Sequence, residues 1–247
     1  THENERAGYN ASFSYPETGG IETFAAAVAG QVPGIACNKQ VVAVHSGEKW
    51  VETADGERLS YRHLVSTMPL KELARCWVDK PEGVAEAAEK LTCTSLTYYD
   101  LGLDRQVLDG LHWVYVPDPE RPFYRLGCYS NARASMAPPG CSSVYVELSA
   151  GQEVDHDKAL DEALEVISQM GASVGRENVA VWKVRKIDYA YVVYDMAYTA
   201  QRTVVVDSLA QAGIHSIGRY GKWIYASMED AFIDGRETAG KIAEGVS

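Results

Sequence analysis

The sequence predicts a discontinuous α/β domain with a mainly antiparallel α+β domain inserted in it. Three observations carry this. Short apolar runs leading into helices occur near both ends, within 17–70 and 204–247. Residues 90–150 are rich in β-branched and aromatic residues broken by Pro, Gly and Asp, as in antiparallel strands joined by turns. Residues 155–171 carry one clear amphipathic helix. The alternation puts residues 1–70 and 204–247 in one domain and 71–203 in the other.

The elements follow in order. The stretch ETGGIETFAAAVAGQV reads as a turn and a helix, with Ile21, Phe24, Ala25 and Val28 at helical spacing. Gly30 and Pro33 end it. QVVAVHS and KWVETA, joined by a turn at Gly47, begin a β-meander, and Asp55-Gly56 is a hairpin signal before RLSYRH. HLVSTMP is a short apolar run without alternation, as expected of a strand covered on both faces. Pro69 stops it, and PLKELARCW starts a helix. TSLTYYDLGL, HWVYVP, YRLGCYS and SSVYVEL are the strands of the antiparallel part. In the helix over 155–171, Leu160, Ala163, Leu164, Ile167 and Met170 form one stripe between an Asp cap and Gly171. AVWKVRKIDYAYVVYD reads as a strand pair, or a strand and a loop. HSIG is a short buried strand, and residues 227–245 form the last helix.

Composition narrows the function classes. A net charge of −11 argues against a nucleic-acid partner, which calls for a basic face. No apolar run is long enough for a transmembrane helix. The five cysteines form no C-x-x-C pair, which argues against zinc and dithiol chemistry and fits reduced thiols in a cytoplasm. The six histidines are isolated from one another, so no metal site is expected. Ser142-Ser143 lacks the G-x-S-x-G context of a hydrolase nucleophile.

The junction SIGRYGKWIYASMEDAFIDGRETAGKIA holds the densest chemistry. Ser227 to Asp230 spell a capping box, so a helix begins near Met228. Its free N–H groups and positive dipole end suit an anion. Gly218 and Gly221 flank Arg219, a permanent cation. Ala231, Gly235, Ala239 and Ala243 recur every four residues, a narrow stripe that would let the helix lie close to a sheet or a ligand. A capped surface helix after a glycine turn, with Arg219 in a salt bridge, accounts for the same residues, since Glu229 and Asp230 already complement the dipole.

GRYGKWIYASMEDAFIDGRETAGKI resembles the C-terminal flavin-contacting segment of the FAD-dependent amine oxidase, protoporphyrinogen oxidase and UDP-galactopyranose mutase superfamily. YNASFSYPETGGIETFAAAVA resembles the family's F-x-Y-P-x-x-GG stretch and following helix. The segment from Val41 through DGERLSYRHLVSTMPL resembles its hairpin and return strand. RPFYRLGCYSN and DYAYVVYD resemble segments on the substrate side of mutase-like members. One departure is large: G-x-G-x-x-G, which cradles the FAD pyrophosphate in the family's Rossmann unit, does not occur in these residues. The resemblance therefore implies the C-terminal part of a flavoprotein, an FAD-binding domain incomplete without its N-terminal βαβ unit, plus an inserted substrate domain.

By that resemblance the cofactor is FAD, bound weakly or not at all by this chain alone. Gly218, Arg219 and the N–H groups near Met228 would hold its phosphate or ribityl side, and Trp223 and Tyr225 would shape the pocket near the ring. Val42 would offer main-chain contact to the adenosine side, and Thr67 and Pro69 would mark the strand end beside it. Tyr124, Arg125, Tyr191 and Tyr194 would line the cavity of a small-molecule substrate. No catalytic side chain is named. The implied activity is an FAD-dependent oxidoreductase. The alternatives are a mutase-like flavin-dependent isomerase and a non-catalytic, partner-dependent module. Open sheet edges would invite a second copy, giving a homodimer.

Overall fold

A computed structural model describes residues 14–149, 151 and 153–245. Packing divides the chain into two units. One holds residues up to Ile35 with Leu96–Ile187, the other Ala36–Ser95 with Asp188–Ser247. The sequence boundaries at 70/71 and 203/204 fall inside the second unit. There Leu70 and Leu73 share one core with Val44, Val205 and Leu209.

The first unit begins with α1 (Glu22–Ala29), which ends at Gly30 as the sequence predicts. No residue of α1 is buried. Part of the motif before it, residues 9–13, lies outside the described residues. The second unit opens with β1 (Val41–His45), β2 (Trp50–Thr53) and β3 (Arg58–Ser60), an antiparallel meander. Gly56, at φ 83°, supplies the left-handed residue in the turn between β2 and β3. Next come β4 (Leu64–Ser66), α2 (Leu70–Cys76) and α3 (Val84–Lys90).

The chain then supplies β5 (Cys93–Leu103), β6 (Trp113–Tyr115), β7 (Phe123–Cys128), α4 (Tyr129–Ala132), β8 (Ser142–Leu148), α5 (His156–Gln169) and β9 (Val179–Val192). The sheet order is β6-β7-β8-β5-β9. Strand alternation sends Tyr99, Leu101, Leu103, Val144 and Val146 to one face, where the α5 stripe Leu160, Ala163, Leu164 and Ile167 joins them in a single core. Asp155 caps α5, accepting a hydrogen bond from the Lys158 N–H at 3.1 Å. Of the two readings of residues 180–195, a strand pair or a strand and a loop, the second holds: one 14-residue strand ends at Val192. No Gly, Pro or Asn interrupts it, so nothing in it makes a turn. It is an edge strand, and Lys183, Arg185 and Lys186 place on it the charges that discourage pairing with another chain.

The second unit closes with α6 (Tyr198–Gln211), β10 (Ile214–Ser216), α7 (Gly218–Gly221) and α8 (Met228–Ala243). Only Val205 and Leu209 of α6 are buried, so it has no broad stripe for a periodicity reading to find. Among the described residues β4 pairs only with β10, and Val65 is 43% exposed; the expectation of a strand covered on both faces does not hold. Nor is the small-residue stripe of α8 packed. No residue of this helix is buried, and a Cβ on Gly235 or Gly240 would meet nothing within 4 Å.

Asp79 pins the β1–β2 turn. Its carboxylate accepts hydrogen bonds from Ser46 N–H at 2.9 Å, Gly47 N–H at 2.7 Å and the Trp77 indole at 3.0 Å. Burial pushes its pKa up, but the Gly47 and Ser46 N–H groups outweigh this and hold it at about 2. A carboxylate held low adds stability above its unfolded pKa, about 3.9, and that stability is lost as pH falls through the folded value. Asp79→Ala is expected to cost about 1–3 kcal/mol at neutral pH in urea unfolding. The difference from wild type should shrink as pH falls from about 4 towards 2. Leu164→Ala, on the buried face of α5, is expected to cost about 3 kcal/mol in the same measurement.

Candidate functional site

β4 and β10 run parallel, with Ile214 beside Leu64, His215 beside Val65 and Ser216 beside Ser66. Their carboxyl ends therefore open on the same side, where open α/β sheets hold ligands. The turn after β10 is fastened over these ends. Ile217 N–H donates to the Ser66 carbonyl at 2.9 Å, and Ser216 Oγ donates to the Gly221 carbonyl at 2.8 Å. Gly218 sits at φ 74°, which favours glycine. A Cβ on Gly221 would come within 3.0 Å of the Ser66 carbonyl. Thr67 is exposed just past β4, and Pro69 opens α2.

Charged groups in this turn are already committed. Gly218 N–H donates to Asp234 Oδ2 at 3.1 Å, and Lys222 pairs with the other oxygen of Asp234. Arg219 donates to the Ala190 carbonyl at 2.9 Å and to the Ala226 carbonyl at 3.2 Å. Its guanidinium lies 4.7 Å from the Tyr225 ring centre and 5.3 Å from that of Tyr191. These two rings are near-parallel at 6.5 Å, and Tyr225 N–H donates to the Tyr194 hydroxyl at 2.6 Å. Arg219, Tyr191, Tyr194 and Tyr225 thus form one group, although sequence reading assigned Arg219 and Tyr225 to the cofactor and the other two to the substrate.

Trp223 is fully buried at φ 54°, rare for a bulky side chain. Its carbonyl accepts a hydrogen bond from the Tyr198 hydroxyl at 2.7 Å, and its indole meets Tyr189 edge-on at 5.8 Å. The indole supports the turn from within the core. The capping box forms as predicted: Ser227 Oγ accepts from Asp230 N–H at 3.1 Å, and Asp230 accepts from Ser227 N–H at 2.8 Å. The N–H groups of Met228 and Glu229 have no acceptor among the described residues. Around them Tyr225, Met228 and Phe232 are each about half exposed, an open apolar rim. Val42 lies on β1, exposed, at an irregularity in its pairing with β2.

The other sequence candidates belong to the first unit. A bulge between Phe123 and Arg125 lets both Tyr124 and Arg125 reach Glu147, a buried carboxylate that sequence reading missed. The Tyr115, Tyr124 and Tyr145 rings lie 5.8–5.9 Å from the Arg125 guanidinium. Burial pushes the Arg125 pKa down, but Glu147 more than offsets this and the charge is fixed. Gly127, opposite Tyr145, leaves the space that the tyrosine ring fills. Among the described residues, no group of three or more His, Cys, Asp or Glu could hold a metal ion. No helix among them is long and apolar enough to cross a membrane.

Residues 1–243 match the family profile described as flavin containing amine oxidoreductase. The fold is similar to that of a reduced UDP-galactopyranose mutase, with a TM-score of 0.85 at 22% identity over 96% of this chain and 54% of that one. It is also similar to a putative protoporphyrinogen oxidase from Exiguobacterium sp. 255-15, with a TM-score of 0.67 at 14% identity over 90% of this chain and 51% of that one. The chain spans about half the length of each.

Removing Glu147 would leave the Arg125 charge in a low-dielectric setting with its principal counter-charge gone. Glu147→Ala is expected to cost about 3 kcal/mol in urea unfolding, and adding Arg125→Met is expected to recover most of that loss.

Proposed function

Because the chain belongs to the flavin containing amine oxidoreductase family, we propose that it supplies the flavin-facing strand ends of an FAD-dependent oxidoreductase. The observation that carries this is the junction itself. Two parallel strands end together under a glycine turn, beside a helix start with two open N–H groups and an apolar rim.

The residues fit one part of the cofactor better than another. Open N–H groups at Met228 and Glu229 suit a neutral carbonyl or ring nitrogen, and the Tyr225, Met228 and Phe232 rim suits a flat apolar ring. A pyrophosphate fits poorly. Glu229 and Asp230 carry negative charge at the helix start, Arg219 is spent on main-chain carbonyls, and Asp234 takes the Gly218 N–H. The junction therefore receives the ring and ribityl side. G-x-G-x-x-G, the usual cradle for the phosphates, does not occur in this sequence. Bound there, the flavin would supply two-electron redox chemistry.

The chain's own residues bind and orient. Arg219, clamped between Tyr191 and Tyr225, sets the position of the main chain on either side of the rim. Thr67 and Pro69 border the strand end, and Val42 offers main-chain contact from the meander. Tyr124 and Arg125 bind substrate, with Glu147 holding Arg125 in place. A second reading, redox-neutral isomerisation of a nucleotide sugar, is favoured by the fuller fold likeness to the mutase. Product formation from a nucleotide sugar with no electron acceptor consumed would support it over the first.

Flavin titration of the 247-residue chain tests the assignment. Lumiflavin and FAD are expected to bind alike, with Kd on the order of 0.1 mM. ADP should not compete, and Met228→Asp should weaken both about fivefold or more. Near-stoichiometric FAD binding that ADP displaces would contradict the division of the cofactor. No flavin binding at millimolar concentration would contradict the flavin assignment and favour the non-catalytic reading.

A further inference from the structure

A recess of about 390 Å³ lies on the first unit's sheet, lined by residues other than Tyr124, Arg125 and Glu147. That volume is in the range of small-molecule sites. Its floor comes from adjacent strands, where Gly102 of β5 and Ser143 of β8 are too small to fill it, and Val181 of β9 lies over Gly102. The glycine sits close under β9: a Cβ at 102 would come within 3.2 Å of the Val181 side chain, which would have to shift by a few tenths of an ångström. Met136 and Pro138, in the loop before β8, make an apolar wall.

Two hydroxyls in this recess lack partners. Ser143 Oγ is buried with no hydrogen bond among the described residues. The Tyr129 hydroxyl makes none among them either. Native structures rarely leave such groups unsatisfied without a reason. Burial, and then the charge of Asp100, push the Tyr129 pKa up, so the phenol keeps its proton and can donate. Charge is lopsided as well. Arg185 pairs with Asp100 at 2.7 Å, while Lys183 has no ion pair among the described residues. The lining therefore carries one uncompensated positive charge, on a chain whose net charge is −11.

We propose that this recess binds a small molecule with an apolar body and a single anionic end. The body lies over Gly102 and Val181, against Met136 and Pro138. A hydrogen-bonding group on it meets Tyr129, Ser143 lies in the floor beneath, and the anion faces Lys183. The proposal stands on the first unit alone and does not depend on the flavin reading.

Calorimetric titration of the whole chain with 4-phenylbutyrate, 4-phenylbutanol and 4-phenylbutylamine tests it. The carboxylate is expected to bind about fivefold more tightly than the alcohol, and the amine more weakly still. Added salt should erode that order. Lys183→Glu, a change on an exposed side chain, should abolish the carboxylate's advantage, and Ser143→Leu should block all three by filling the floor. Should Ser143→Leu fail to fold, Lys183→Glu alone decides. Equal binding of the three probes, an unchanged order in Lys183→Glu, or no binding to the wild-type chain at 10 mM, on the order of the weakest useful affinity, would overturn the proposal.

Discussion

The parallel pairing of β10 with β4 is the constraint on which the second unit's proposed site depends. A parallel pair cannot be closed by a tight turn, so the chain between Ser66 and Ile214 must travel through other elements before it returns. On its return, Ser216 falls beside Ser66, and both strands deliver their next residues to the same side. The Ile217 N–H bond to the Ser66 carbonyl and the close seat of Gly221 then leave little freedom in the turn. A slip of register by one residue would move Gly221 off that seat and put a side chain where only glycine fits.

Electrostatics decides what such a junction can hold. A glycine turn and a helix start would serve a phosphate if their donors were open and their surroundings cationic. Here Asp234 answers the turn, Asp230 answers the cap, and Arg219 is enclosed by two carbonyls and two rings. What stays open is a pair of N–H groups set in apolar side chains. That environment rewards a neutral, flat, hydrogen-bonding ligand edge and penalises a dianion, which would meet Glu229 and Asp230 at short range. In the proposed reading, these carboxylates would select which part of a nucleotide cofactor the junction receives.

Much of the fold was legible where local rules act alone. Asp55-Gly56 announced its hairpin, the α5 stripe announced its buried face, and Ser227 with Asp230 announced the start of the last helix. Long-range partnership was not legible. α6 has no counterpart in the sequence analysis, because only Val205 and Leu209 are buried and no stripe marks the helix. Residues 180–195 left a strand pair and a strand with a loop both open, because no Gly or Pro in the run marks where a strand stops. In the site, Arg219 was visible as a cation, but its carbonyl partners Ala190 and Ala226 carry no side-chain signal. Asp234 and Glu147 were missed for the same reason: an isolated carboxylate in sequence does not declare which donor it will meet.

The first unit follows a different logic. One face of its sheet is a dry core with α5; the other carries tyrosines, the Arg125–Glu147 pair and the recess over Gly102. The recess there exists because the sequence places small residues among large ones.

Hydrogen exchange of the whole chain, with and without saturating lumiflavin, tests the central claim most directly. Slower exchange at Met228, Glu229 and the 217–223 turn, with 96–187 unchanged, is the predicted result. Exchange at those amides that does not respond to the ligand, or slowing confined to the first unit, would contradict a flavin-facing role for the ends of β4 and β10.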